Sequence, residues 1–296
     1  MQFPRFEYSP IIHRPHVAWP NNARVAVWVI PNIEHYAPNI PSTSIHFISN
    51  FDPDILNYSW RDYGVRVGIW RLMQCMDKYG VRGTVALNSD VCKHYPQIIE
   101  EALKRDWEFM GHGTNNSQLI PGLTLEEERA LVKEVVDTIT ESTGSAPKGW
   151  LSPALGETYN TPDLLTEHGI QYVGNWVNDD LPYPMQTANG PLYSIPYSIE
   201  INDIPIFLGQ GHTPQGFTDT LIEQFDVLYE EGAAQPKVMA ICLHPFLIGH
   251  PFRIRALEKV FQHITSHDDV WLATGSEIID SYRKQTESGE KAASVK

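Results

Sequence analysis

Alternating apolar strands and amphipathic helices constrain the fold of this 296-residue chain more than any other feature. Residues 24–30 and 238–243 are almost continuously apolar, which is typical of strands buried on both faces of a parallel sheet. Further strands are predicted at 83–87, 107–110, 148–151, 171–173 and 270–272, with two more between 190 and 210 that turn near Asn202-Asp203. The strand–loop–helix order favours a single α/β barrel, whose site lies at the carboxyl ends of its strands.

The segments between these strands have apolar residues at helical spacing, which predicts helices. Thr124 and Glu127 have the spacing of a capping box at the start of a long helix. Residues 37–60 show no clear period, so we predict a long functional loop there, a candidate lid for the site. The predicted helices cover 63–79, 89–104, 124–140, 161–169, 217–231, 254–264 and 275–283. The predicted organisation is an extended arm over 1–23, a catalytic barrel over 24–285 and a disordered polar tail over 286–296.

Composition narrows the class of partner. The 22 basic residues against 36 acidic ones give a net charge of -14, which disfavours nucleic acid and anionic membrane as partners. No apolar run approaches the roughly 18 residues of a membrane span. The cysteines Cys75, Cys92 and Cys242 are scattered, as in a protein with reduced core thiols. With no signal pattern at Met1, we expect a cytoplasmic protein that acts on a small molecule.

Polar side chains follow the predicted strands at the point where each strand ends. His112 stands out among them because it leaves a strand between two glycines, an arrangement suited to presenting a reactive imidazole. Carboxylates and histidines that converge at this end of a barrel would form a hydrolytic site. The strand-end residues are Asn32, Glu34, His35, Asn88, Ser89, Asp90, His112, Asn116, Ser152, Asp179, Asp180 and His244.

Some of these positions also have a structural interpretation. Residues 88–90 suit a helix cap, because Asn, Ser and Asp are the preferred capping residues. Asp179 and Asp180 suit a turn, and His244 suits a hydrogen bond to a neighbouring carbonyl. These alternatives stay open at the level of sequence.

A series of ordered motifs resembles the polysaccharide deacetylase superfamily, also called the nodulation-protein-B type. Each motif alone is weak, but they occur in order along roughly residues 20 to 280. They are Asn32-x-Glu34, the segments 63–68 and 142–149, Gly111-His112-Gly113, the segment 178–183, Leu243-His244-Pro245 and the segment 249–253. The resemblance implies an irregular (β/α)7 barrel and a homo-oligomer, either a dimer or a tetramer.

The chain departs from the deacetylase pattern where that family binds zinc. Family deacetylases carry Asp-Asp after the first strand and His-x-x-x-His after the third, whereas this chain has Asn32, Glu34 and, in place of the second histidine, Asn116. A neutral amide is a weak zinc ligand, so a set of Glu34, His112 and Asn116 would bind zinc poorly. We therefore expect no metal cofactor, with zinc as the alternative. The pattern resembles a branch of metal-independent allantoinases and cyclic imide hydrolases.

The leading hypothesis is a hydrolase that opens a C–N bond of a small cyclic amide, such as allantoin, a hydantoin or a cyclic imide. Glu34, Asp179 or Asp180 would activate water, while His112 or His244 would stabilise the oxyanion and protonate the leaving nitrogen. Substrate contacts are expected from Asn32, Asn116, Ser152, Trp176 and Tyr183. The alternatives are a zinc-dependent N-deacetylase of an acetamido sugar or peptidoglycan fragment, and a degenerate barrel that only binds a ligand.

Overall fold

The computed structural model describes residues 5–38 and 52–293. One curled sheet holds its nine strands in the order β6-β7-β5-β4-β3-β2-β1-β8, and β9 pairs with the start of β1. All ladders are parallel except the β6–β7 hairpin. The strands are β1 Val25–Ile33, β2 Thr84–Leu87, β3 Glu108–Gly111, β4 Gly149–Trp150, β5 Tyr172–Val173, β6 Tyr183–Thr187, β7 Gly190–Ser194, β8 Lys237–Leu243 and β9 Val270–Leu272.

Helices cover the outer face of the sheet, so the fold is the α/β half-barrel expected of an irregular (β/α)7 architecture. A π-helical turn, Gly64–Gly68, joins the first two helices. The helices are α1 Ile55–Tyr63, α2 Ile69–Lys78, α3 Ser89–His94, α4 Pro96–Leu103, α5 Leu125–Thr143, α6 Thr161–Glu167, α7 Pro214–Glu231, α8 Pro245–Ile248, α9 Pro251–Thr265 and α10 Gly275–Ala293.

The two longest apolar runs form the centre of the sheet. Every residue of β1 and β8 is buried, and the two strands pair in register from Val25 and Lys237 onward. The predicted capping box at the start of α5 is confirmed, because Thr124 accepts from the backbone N–H of Glu127 and the Glu127 side chain bonds back. The β1 strand extends beyond its predicted end, and this extension places Asn32 inside the ladder opposite Ala86.

One predicted hairpin is wrong. The hairpin lies between β6 and β7, where Gly190 takes a φ of 116° that suits glycine, and not near Asn202-Asp203. Residues 205–209 form a π-helical turn and not a strand. The Asn-Asp pair resembles a turn in composition, but Asp203 is completely buried beneath the carboxyl end of β8.

Three helix boundaries also differ from the prediction. Part of the segment predicted as a loop is helix α1; its residues 39–51 lie outside the described residues. The apolar Ile55 and Leu56 are exposed there while Asn57 and Arg61 are buried, so the usual periodic signal is inverted. Pro96 divides the predicted 89–104 helix into α3 and α4. Helix α10 continues past residue 283 to Ala293, into the segment predicted as a disordered tail.

The described part of the N-terminal arm is fastened to the domain by arginines. Arg5 binds Asp163 with two hydrogen bonds of 2.8 and 2.7 Å, and Arg14 binds Asp179 with two of 2.7 and 2.6 Å. Trp19 is buried and donates to the carbonyl of Lys237. The arm is therefore an ordered surface layer, at least from residue 5 onward. Within the described residues, no helix is both long enough and apolar enough to cross a membrane.

Candidate active site

Glu34 is the centre of a buried cluster at the carboxyl ends of β1, β3 and β8. Its side chain is 6% exposed and accepts hydrogen bonds of 2.5 Å from both the Asn116 amide and the Tyr36 hydroxyl. The Nε2 atoms of His112 and His244 lie 3.5 and 3.6 Å from its Oε1 atom. The structure therefore brings together four of the residues that the sequence places at separate strand ends.

This environment keeps Glu34 ionised. Burial acts to raise its pKa, but the charge of His244 and the contacts with His112 and Tyr36 outweigh burial and lower the pKa to about 2. A carboxylate with so low a pKa is a poor acceptor for the proton of a water molecule at neutral pH. Glu34 is thus better suited to stabilising a protonated imidazole than to acting as the general base.

The tautomer of His112 follows from its backbone contact. Its Nδ1 atom lies 2.5 Å from the carbonyl oxygen of Leu151, which can only accept, so Nδ1 carries a proton. In the neutral ring Nε2 then holds a lone pair, and it makes no hydrogen bond within the described part of the chain. The loop approaches its neighbours closely, since a Cβ on Gly111 would lie 2.4 Å from the Trp150 ring. His112 is therefore locked in place with a basic nitrogen facing the site.

His244 is paired with a carboxylate that sequence reasoning missed. Asp203 accepts from both the backbone N–H and the Nδ1 of His244, each at 2.7 Å. Burial acts to lower the pKa of His244, but the charges of Asp203 and Glu34 outweigh it and raise the pKa above its ordinary value. When the ring is protonated, its Nε2–H is directed toward Glu34 and the site. Asp203 gave no sequence signal, because Asn-Asp before Ile-Pro looks like a turn.

The orientation of the Asn116 amide is fixed by a chain of hydrogen bonds through Asn88. The backbone N–H of His35 donates to Oδ1 of Asn88, and Nδ2 of Asn88 donates to the carbonyl of His112. The same Nδ2 donates to Oδ1 of Asn116 at 3.0 Å, so Nδ2 of Asn116 must face Glu34. Asn88 stands at the N-cap position of α3, as predicted, but its side chain makes no cap hydrogen bond and instead joins three loops.

The donor set around Glu34 differs from the family's zinc site at the position of Asn116. Where the family pattern needs a ligand, Asn116 presents an NH2 group, which donates and cannot coordinate a cation. A tetrahedral zinc ion needs donors about 3.4 Å apart, given bonds of about 2.0–2.1 Å. Among the described residues, the donor atoms of Glu34, His112 and His244 do not all fall within 4.8 Å of one another.

Asn32 and Ser152 lie next to the cluster and are fully buried. Asn32 donates to the carbonyls of Ile30 and Leu243 at 3.3 Å, and so ties β1 to β8. The Ser152 hydroxyl accepts from Trp150 and Asn175 at 2.9 Å. Their side chains are therefore occupied by structural contacts, and they support the strand ends that carry Glu34 and His112.

Asp179 and Asp180 lie away from the cluster, so their predicted role as catalytic carboxylates is wrong. The carbonyl of Asp180 accepts from Val238 at the start of β8, whereas His244 follows the end of that strand. Six strand residues separate these ends by about 20 Å. Asp179 is bound by Arg14 of the arm. The chain turns back after β5 and carries both aspartates to the amino end of the sheet.

The two predicted aromatic contacts lie outside the cluster as well. Tyr183 lines a cavity of about 630 Å³ together with Asp179 and Arg14, beneath the arm. Trp176 lines a different cleft, of about 620 Å³, beside Glu157. Burial there raises the pKa of Glu157 to about 6, although Asn175 and Trp176 oppose the shift. Neither aromatic ring is among the contacts of Glu34.

Comparisons with known proteins agree with the geometry. The polysaccharide deacetylase family model matches residues 58–173. A Pseudomonas aeruginosa structure described as a probable polysaccharide deacetylase is 31% identical, with a TM-score of 0.83, over 92% of this chain and 95% of its own. The Puue allantoinase structure is 28% identical, with a TM-score of 0.86, over 96% and 98%. The Helicobacter pylori peptidoglycan deacetylase is 25% identical over 74% of this chain and 85% of its own. This chain belongs to the polysaccharide deacetylase family and is a hydrolase of carbon–nitrogen amide bonds.

Proposed function

We propose that the enzyme opens a small cyclic amide, such as allantoin, a hydantoin or a cyclic imide, without a tightly bound metal. The observation that carries this proposal is the Asn116 amide, which directs a hydrogen-bond donor at Glu34 where a zinc ligand would have to stand. Without a Lewis acid, the substrate carbonyl must itself be electrophilic. Imide and ureide carbonyls meet that condition better than the acetamide of an N-acetyl sugar.

His112 is the general base in this mechanism. Its Nδ1 proton is held by the Leu151 carbonyl, so the Nε2 lone pair can take a proton from a water molecule as that water attacks the carbonyl carbon. The imidazolium that forms is stabilised by the Glu34 carboxylate 3.5 Å away. Glu34 thus stabilises the charge on the ring, while the Leu151 carbonyl at Nδ1 holds the ring in its orientation.

His244 is the acid. Held by Asp203 through Nδ1, its protonated ring presents Nε2–H to the carbonyl oxygen as negative charge develops there. The same proton then moves to the leaving nitrogen when the tetrahedral intermediate collapses and the C–N bond breaks. His112 and His244 are 3% and 5% exposed, and this burial suits a compact substrate better than a polymer.

Turnover of a substrate panel tests the proposal. We expect hydrolysis of at least one of allantoin, hydantoin and succinimide, and none of N-acetylglucosamine oligomers. Asp179→Asn is the matched carboxylate control for Glu34→Gln, because Asp179 lies outside the cluster. Loss of turnover in Glu34→Gln but not in Asp179→Asn supports the assignment. The proposal is wrong if every cyclic amide is inert while an acetamido substrate is cleaved.

A zinc-dependent N-deacetylase is the second candidate. It is favoured by the Nε2 atoms of His112 and His244, which both face Glu34, and by the peptidoglycan deacetylase among the relatives. Deacetylation that a chelator abolishes and zinc restores would establish it. A homo-oligomer and a cytoplasmic location stay predictions under either candidate.

A further inference from the structure

A second group of metal-ligating side chains lies on the outer helices, far from Glu34. It consists of Asp226 on α7, His263 in the last turn of α9 and His267 just beyond that helix. Helix α9 leads into the amino end of β9, whereas the active site is at the carboxyl ends of the strands. The group is thus separate from the catalytic cluster, and the mechanism does not use it.

The donor atoms of this group already lie close together. One ligand atom from each residue falls within 4.8 Å of the other two, and among the described residues no other group of three histidine, cysteine or acidic side chains does so. Nε2 of His263 lies 2.7 Å from Oδ1 of Asp226. Two imidazoles and a carboxylate are a ligand set that zinc accepts, with solvent in the fourth position.

The backbone contact of His267 has the form that metal-binding histidines use. Nδ1 of His267 lies 2.9 Å from the carbonyl of His263, which can only accept, so Nδ1 is protonated and Nε2 holds the lone pair. The hydrogen bond also fixes the ring orientation.

Aromatic side chains hold the two rings in place. Phe225 is completely buried and meets His263 and His267 edge to face, with centroids 5.7 and 5.1 Å apart. The ring of Tyr229 packs 5.0 Å from His267, and its hydroxyl donates to the carbonyl of Asp268 in the following turn. This apolar floor limits the rotamers of both imidazoles, so less side-chain entropy is lost when an ion binds.

We propose that Asp226, His263 and His267 form a site for a late first-row divalent metal ion, with Zn²⁺ as the representative. The ion would lie between Nε2 of His263 and Oδ1 of Asp226, in place of the hydrogen bond that joins them. Irving–Williams order predicts that Cu²⁺ binds at least as tightly and Mn²⁺ more weakly. An overall charge of -14 attracts divalent cations in general. The ion would link α7 to α9 and have a structural role.

Equilibrium dialysis with Zn²⁺ alone, on chelator-treated full-length protein, tests the site. The wild type and the active-site variant His112→Ala should both retain the bound zinc. His267→Ala should weaken zinc binding by more than about 10-fold, because removing even a partner that orients a metal ligand costs about 10–100-fold in metal affinity. His13→Ala, which removes an exposed histidine of the arm, is the matched control and should bind as the wild type does.

Thermal unfolding provides an independent readout. Relative to the same protein in chelator, Zn²⁺ should raise the Tm of the wild type and of His112→Ala but not that of His267→Ala. Zinc binding that survives His267→Ala, or that is lost only in His112→Ala, overturns the surface site. The latter result would also count against the metal-free mechanism, so the two proposals can fail separately.

Discussion

The acidic residues that follow β1 and β5 look equivalent in the sequence, but the structure places them at opposite ends of the sheet. Glu34 follows β1 directly and meets His112 and His244 from neighbouring strands. Asp179 and Asp180 follow β5 by six and seven residues, and the chain has by then returned to the amino end of the sheet. Distance along the chain does not decide the outcome alone, since Asn116 follows β3 by five residues and still lies in the cluster. What differs is the path of the chain, which after β5 turns back toward the amino end of the sheet before it reaches Asp179 and Asp180.

The two clusters also use charge differently. Asp179 is neutralised by Arg14, in a pair that fastens the arm. Glu34 is surrounded by an amide, a hydroxyl and two imidazoles, polar groups that can hydrogen-bond to a substrate. The Arg14–Asp179 pair therefore stabilises the fold, whereas the groups around Glu34 are available to a substrate.

Removing His112 should have the largest effect. His112→Ala eliminates the general base, so turnover should fall by about 10²–10⁴-fold, the range of general acid–base catalysis. Steady-state kinetics on a cyclic amide measures this, and circular dichroism checks the fold. Turnover within a few-fold of the wild type would contradict the claim that the Glu34 cluster, and not the Asp179 cluster, is catalytic.

Asp203→Asn should have the next largest effect. The substitution keeps the shape of the side chain but removes the charge that orients and stabilises protonated His244. We therefore expect kcat to fall by about 10²–10⁴-fold, the upper value being the loss in a catalytic triad. The fall should be in kcat, because Asp203 is buried behind His244. A change confined to KM would contradict the assignment of His244 as the acid.

The pH profile should report the protonated state of His244. Because its pKa is raised by Asp203 and Glu34, the acid form persists to higher pH than in a free histidine, and kcat should fall as pH rises through that raised pKa. In Asp203→Asn the pKa is lower, so the same limb should move to lower pH. An alkaline limb that does not move on this substitution would exclude His244 as its origin.

Breaking the Arg14–Asp179 pair should have the smallest effect on turnover. Arg14→Ala leaves kcat close to the wild type but destabilises the fold by about 1–3 kcal/mol, since the two side chains are only 14% and 10% exposed. At about 2–4 °C for each kcal/mol, the Tm should fall measurably. Calorimetry and kinetics on the same sample separate the two effects. A large loss of turnover with an unchanged Tm would indicate that the Arg14–Asp179 pair takes part in catalysis.

Much of the fold follows from the sequence because its signals are local. The continuous apolar runs of β1 and β8, the capping box of α5 and the glycines around His112 each depend on neighbours in the chain. Helix α1 escaped detection because it buries polar residues and exposes Ile55 and Leu56.

The site follows only in part, because its contacts connect distant segments. Glu34, His112 and His244 could be named from strand ends, but the Asp203–His244 pair joins residues 41 positions apart. Likewise, the orientation of Asn116 depends on Asn88, 28 residues earlier, whose composition suggests a helix cap. Such pairings are set by tertiary structure and leave no periodic pattern.

The turnover of a cyclic amide by metal-stripped enzyme tests the central claim most directly. Wild-type protein is treated with a strong chelator, its zinc content is measured, and its turnover is compared before treatment, after treatment and after Zn²⁺ is restored. Because Asn116 offers Glu34 a hydrogen-bond donor, we predict that turnover is the same in all three samples. Turnover that disappears with the metal and returns with Zn²⁺ would contradict the account.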